Sequence, residues 1–325
     1  MKPAFLKLLK LDKVRQCLPD ELISVIWSYL VSLRFPRFGP KEVFYDPHKI
    51  GWCIASDGRI VYVGLLQRGG LLLISTSGEL QKVVNFGPVH AICADSSMPG
   101  RALIALDDGN LHEMVTRYRG ATTSSFQTHI NLSEYIETWF GFYVVHGGKS
   151  VVCILSMDAS RMRLYDFFNT CQDFSIPLPV GFPLDIFHLL ACRMTKEGCL
   201  SCFIVNTDTA SLIEYHWTGT ELVEHRVWNK AFLNSVNSMT AGSLPDGRFV
   251  LLLNGAERDT RIGTTSSYTV FFDPTAGHAI AVCSHPSKQG RATMAGEYLL
   301  TFDPGDSAIY RRKIIMNMFD TEYDL

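Results

Sequence analysis

The chain has 325 residues, 47% of them apolar and 19% charged, with a formal net charge of −2. That length fits one large all-β domain or two smaller domains, and the apolar fraction supplies a sizeable core and excludes a disordered chain. Acidic and basic residues are mixed along the sequence, which excludes the basic footprint of a nucleic-acid binder, and no run approaches the roughly 18 apolar residues of a membrane-spanning helix.

The first predicted element is a helical segment over residues 1–38. Its start, "MKPAFLKLLKLDKVRQCL", carries five basic residues against one acid, with Leu6, Leu9 and Leu11 between them. That pattern reads as a basic, solvated helix face, and it is also compatible with a mitochondrial targeting peptide or a membrane-surface helix. Next, Leu18, Leu22, Val25, Ile26, Tyr29, Leu30 and Leu33 recur at three- and four-residue steps and give one apolar stripe. Pro19 suits a first helical turn, where its missing N–H costs nothing, and Asp20 and Glu21 complement the positive end of the helix dipole. "LPDELISVIWSYL" resembles the first half of the F-box motif, through Leu18, Pro19, Glu21, Leu22, Ile26, Tyr29 and Leu30. F-box proteins commonly place this motif before a substrate-binding repeat domain. The resemblance implies docking to a Skp-type adaptor of a cullin ubiquitin ligase, with Leu18, Pro19, Leu22, Ile26, Tyr29 and Leu30 as the partner-binding residues. It covers about 15 residues; Pro36 and Pro40 break any helix beyond it.

From about Lys41 onward, short apolar runs alternate with turn dipeptides. Asp57–Gly58, Asp108–Gly109 and Asp246–Gly247 supply the positive φ that tight hairpins need. The runs between turns are rich in Val, Ile, Phe, Tyr and Leu. They group into units of four strands, with first strands beginning near Trp52, His90, Trp139, Ile186, Val236 and Ala292, a spacing of about 48 residues that suits a four-stranded propeller blade. Second strands such as "IVYVGL", "ALIAL" and "FVLLL" are the most apolar, as strands buried on both faces must be. Fourth strands such as "ELQKVVNF" and "ELVEHRVW" are charged and alternating. The glycine-histidine and Trp-Asp signatures of WD repeats are missing. The expected fold is therefore all-β, a six-bladed β-propeller of four-stranded blades over residues 39–325. The sixth unit lacks a fourth strand of its own, so Glu42–Tyr45 is expected to supply it, antiparallel to Ser307–Arg312.

No nucleophile elbow, P-loop, H-E-x-x-H or dinucleotide fingerprint is present. His216 and His225 read as edge-strand histidines, and "LDDGN" at Leu106–Asn110 as hairpin chemistry rather than a calcium loop. "ERDTRIGTTSSY", Glu257–Tyr268, reads as the most polar long loop, and "FSIPLPVGFPLDIF", Phe174–Phe187, as the connection between the third and fourth units. Nine cysteines at irregular spacing fit reduced, buried thiols of the cytoplasm or nucleus. Cys199–Cys202 is formally C-x-x-C, with no second pair at zinc spacing and nothing that makes Cys192 a partner. No catalytic residue, metal ligand or cofactor is expected. The function expected is non-catalytic protein–protein interaction: an F-box-like substrate receptor whose partners are an adaptor and a target protein, or a scaffold subunit docking through its N-terminal helix. A propeller hydrolase or lectin would need Asp, Glu or His converging at the inner-strand ends.

Overall fold

The structure is a computed structural model. It describes residues 36–45, 51–65, 69–94, 100–116, 123–131, 140–146, 151–156, 161–166, 174–177, 190–195, 198–206, 209, 211–229, 236–259, 264–285, 291–303 and 308–316. Contacts divide the chain into two compact units, Phe38–Ile315 and Met1–Arg37 with Met316–Leu325. The architecture below is that of the first. The expected partner-binding residues Leu18, Pro19, Leu22, Ile26, Tyr29 and Leu30 lie outside the described residues.

The described residues form strands and, among them, no helix. Strands β1 (Pro36–Phe38) and β2 (Glu42–Tyr45) precede the first antiparallel sheet, β3 (Gly51–Ser56), β4 (Ile60–Leu65), β5 (Leu71–Ser75) and β6 (Leu80–Val84). The second sheet holds β7 (Val89–Cys93), β8 (Arg101–Leu106), β9 (Asn110–Thr116) and β10 (Thr123–Asn131). The third is eight-stranded: β11 (Phe140–His146), β12 (Val151–Ser156), β13 (Arg161–Asp166) and β14 (Phe174–Pro177), then β15 (Leu190–Met194), β16 (Leu200–Asn206), β17 (Ser211–Trp217) and β18 (Leu222–Asn229). The fourth holds β19 (Val236–Ser243), β20 (Phe249–Asp259), β21 (Thr264–Asp273) and β22 (His278–His285). The last holds β23 (Arg291–Ala295), β24 (Tyr298–Asp303) and β25 (Ala308–Met316), and both β1 and β2 pair with β25 on its outer edge.

This is a β-propeller arrangement of four-stranded blades, with five sheets where six blades were expected. The difference has a local cause. β11 and β15 are the first strands of consecutive four-strand meanders, and they run parallel, pairing Val145 with Cys192 and His146 with Arg193. That short ladder joins two meanders into one sheet. The first strands β3, β7, β11, β15, β19 and β23 neighbour one another in a closed ring.

Closure follows the sequence expectation. Glu42 pairs with Arg311, Val43 with Tyr310 and Tyr45 with Ile309, all antiparallel. The Gly39 N–H donates to the Lys313 carbonyl at 2.9 Å, and Glu42 meets Arg311 at 2.9 Å. Half-exposed Glu42 makes that ion pair worth little; the buried Phe44 ring contributes more.

Period two decides where the core goes. Along β4, Val61, Val63 and Leu65 face one neighbour, packing with Phe44, Leu300, Phe302 and Ile309 of the closing sheet. Ile60 and Tyr62 point the other way, against Val89, Ala102, Ile104 and Met114 of the second sheet. The second strands β4 and β16 are thus buried on both faces, while the fourth strand β6 is exposed almost throughout. Asp57 adds a polar tie between sheets. One oxygen accepts the Arg59 and Ile60 N–H groups at 2.8 and 2.7 Å; the other accepts the Tyr62 hydroxyl at 3.1 Å and the Gly100 N–H at 2.6 Å. Burial, then the Asp57 charge, push the Tyr62 phenol well above its usual range. Gly58, Gly109 and Gly247 sit at φ of 83, 84 and 83°, as the Asp-Gly turns require.

One sequence expectation is corrected. The segment Glu257–Tyr268 is largely hairpin rather than loop: β20 and β21 continue through it, pairing Glu257 with Ser266, Arg258 with Thr265 and Asp259 with Thr264. A ladder needs only backbone groups, so side chains polar on both faces do not prevent it. Phe174–Pro177 forms β14 beside β13, the fourth strand of its meander, as an edge strand rather than a central one. An edge strand tolerates Pro177.

Candidate functional site

The chemistry-bearing side chains of the described residues converge on the outer half of β15–β18. A register shift in β17–β18 sets them up: Glu214 pairs with Arg226 but Tyr215 with Glu224, so His225 is an extra residue, a β-bulge. The bulge brings the His225 ring over the His216 ring, with centroids 3.8 Å apart and planes 16° apart. Glu214 and His216, two apart on β17, share a face. The Glu214 Oε1 accepts from the Arg193 Nη2 at 3.3 Å and lies 3.0 Å from the His216 Nε2.

Glu214 is 2% exposed. A buried carboxylate needs partners. Arg193 supplies one from β15, its guanidinium carbon 5.1 Å from the Phe203 ring centroid and 4.8 Å from that of Phe249. Arg193, Ser201 and His216 lie in register across β15, β16 and β17 and so share one face. Among the described residues, the buried Ser201 Oγ and Arg193 Nε find no hydrogen-bond partner. Burial falls outward from Glu214 through half-buried His216 to exposed His225, and the donor atoms of these three all lie within 4.8 Å of one another. Carboxylate, two imidazoles and an open outer side are a donor set for a divalent cation of the zinc class.

The cysteines rearrange the C-x-x-C expectation. Cys199 is exposed in a turn, while Cys202 is buried, so the two do not form a site. The neighbour of Cys202 is Cys192, directly across β15–β16 with Sγ atoms 3.7 Å apart. The Cys192 thiol and burial hold Cys202 well above the ordinary thiol range. Burial also pushes Cys53 up to about 12 and Cys283 up to about 11. Among the described residues Cys53, Cys199, Cys202 and Cys283 are free thiols. At Leu106–Asn110 the Asp108 carboxylate caps its own turn, accepting from the Asn110 N–H at 2.9 Å, which is hairpin chemistry as expected.

Fold and site together define a β-propeller protein with a polar cluster between the outer strands of one meander. Among solved structures the chain is similar to a luciferin-regenerating enzyme, with a TM-score of 0.55 and 11% identity, over 86% of this chain and 95% of that one. No protein-family model matches the chain, and no curated protein matches it. At this identity the likeness shows the fold alone. It still corrects the expectation that the chain is not an enzyme: the same architecture, over most of both chains, is that of a named enzyme, so a propeller without a legible catalytic motif gives no ground for excluding catalysis.

Proposed function

We propose that the chain acts as a substrate receptor of a cullin-type ubiquitin ligase: Leu18, Pro19, Leu22, Ile26, Tyr29 and Leu30 dock on a Skp-type adaptor, and the propeller holds the target protein. The reading is carried by the F-box-like residues from Leu18 to Leu30. It is supported by where the ring closes. Among the described residues, closure uses Glu42–Tyr45, downstream of that segment. Buried free thiols such as Cys53 and Cys202 support a reducing compartment, the cytoplasm or nucleus.

Co-elution of the full chain with a purified Skp-type adaptor tests this. Leu22→Asp with Ile26→Asp abolishes co-elution and leaves the unfolding transition of the propeller unchanged. No co-elution at micromolar concentrations would instead favour a scaffold subunit docking through the same segment. Catalysis is the second reading: a solved structure with this architecture is named as an enzyme, and the cluster at Glu214, His216 and His225 is where its chemistry would be sought.

A further inference from the structure

The β17–β18 bulge is not peculiar to its meander. In β5–β6, Leu73 pairs with Lys82 and Ile74 with Leu80, leaving Gln81 extra. In β21–β22, Phe271 pairs with Ala281 and Phe272 with Ala279, leaving Ile280 extra. The bulge is therefore architectural: it recurs in β2–β25, where Phe44 is extra, and the β5–β6, β17–β18 and β21–β22 copies align residue by residue. Where β17 carries Glu214, β5 carries Leu73 and β21 carries Phe271, both fully buried. Where β18 carries His225, the others carry Gln81 and Ile280. Two sibling sheets fill the Glu214 position with hydrocarbon, Leu73 and Phe271; among these three bulges only β17–β18 carries a buried carboxylate at that position with an imidazole on either side of it. Packing does not ask for that exchange, since a buried charge costs stability that a leucine would not.

We propose that Glu214, His216 and His225 form a binding site for one divalent transition-metal ion of the zinc class. The spacing suits such an ion. Ligands at about 2.0–2.2 Å in a tetrahedral arrangement stand roughly 3.3 Å apart, and His216 Nε2 lies 3.0 Å from Glu214 Oε1. The ion takes the place of the hydrogen that otherwise bridges these two atoms. His225, stacked on His216 and exposed, closes onto it by a small ring rotation. Imidazole nitrogens select zinc, cobalt, nickel or copper over the oxygen-seeking calcium and magnesium. Arg193 fixes the carboxylate from its other side, the role an outer-shell partner plays. Ser201, in register between Arg193 and His216, adds to the same face a buried hydroxyl without a hydrogen-bond partner among the described residues.

The test is titration of the full chain with zinc against a chromophoric chelator, together with the visible spectrum of the cobalt-loaded protein. One equivalent binds at low micromolar zinc, and cobalt gives ligand-field bands without thiolate charge-transfer absorption. His225→Gln, at an exposed position that leaves the unfolding midpoint unchanged, weakens binding at least about tenfold; His216→Gln does the same, and Cys199→Ser binds as the parent does. Absence of a stoichiometric ion, thiolate bands in the cobalt spectrum, or equal binding by His225→Gln and the parent would each overturn the proposal.

Discussion

The β3–β6 sheet and the β15–β18 meander are built on one plan and filled differently. Across the first, Ala55, Tyr62, Leu73 and Lys82 stand in one row; across the second, Ala191, Phe203, Glu214 and Arg226. Small residue on the first strand, aromatic on the second, cation on the fourth: three positions agree in kind, and both rows end at a bulge. The third position differs, apolar Leu73 against acidic Glu214, each almost wholly buried. The blade plan thus comes from the rows that agree, and the chemistry from the position that does not.

Moving the difference from one sheet to the other gives the largest expected effect. Leu73→Glu puts a carboxylate between Tyr62 and the Ile104–Met114 core with no Arg193 or His216 to meet it. Unfolding free energy falls by about 4 kcal/mol or more, read from the urea midpoint. Removing a row's outermost member comes next. A chain starting at residue 36 keeps β1 and β2 and folds as a ring, whereas one starting at residue 49 loses both, with the buried Phe44, and is less stable by about 3–5 kcal/mol. Equal midpoints for the two truncations would show that another segment covers β25. Arg193→Met strands the Glu214 carboxylate and costs about 2–3 kcal/mol, less than for a fully buried pair because Arg193 is 21% exposed. The smallest effect is on reactivity alone. In the native protein Cys199 alkylates fast, while Cys53, Cys202 and Cys283 alkylate slowly, as burial and raised thiol pKa dictate, read peptide by peptide in a mass spectrum. Rapid labelling of Cys202 would mean that β15–β16 opens.

The strands and their hairpins were legible because period-two apolar runs and Asp-Gly turns both report local backbone geometry. Glu42–Tyr45 was legible by elimination, as strand-like residues without a partner beside a unit one strand short. The sheet count was not, since the β11–β15 ladder is a backbone contact between strands far apart in sequence and leaves no mark on either. Glu257–Tyr268 misled because a polar run looks like a loop, although a ladder needs only backbone groups. The Glu214 site was half visible. Glu-x-His at 214–216 places two donors on one face of any strand, and a third donor in His225 follows a Thr-Gly-Thr turn. What the sequence hides is the bulge, which alone brings His225 level with His216. Arg193 and Ser201 join only through the register of β15–β16–β17.

The most direct measurement of whether Glu214 serves a ligand rather than the fold is thermal unfolding of the double variant Arg193→Met, Glu214→Leu, with and without zinc. This variant restores the β3–β6 solution to the β15–β18 row. It should match or exceed the parent in stability without zinc, within about 1 kcal/mol on the unfavourable side, and its midpoint should not move when zinc is added, while the parent's rises. A double variant destabilised by several kcal/mol, or one whose midpoint still rises with zinc as the parent's does, would contradict the assignment.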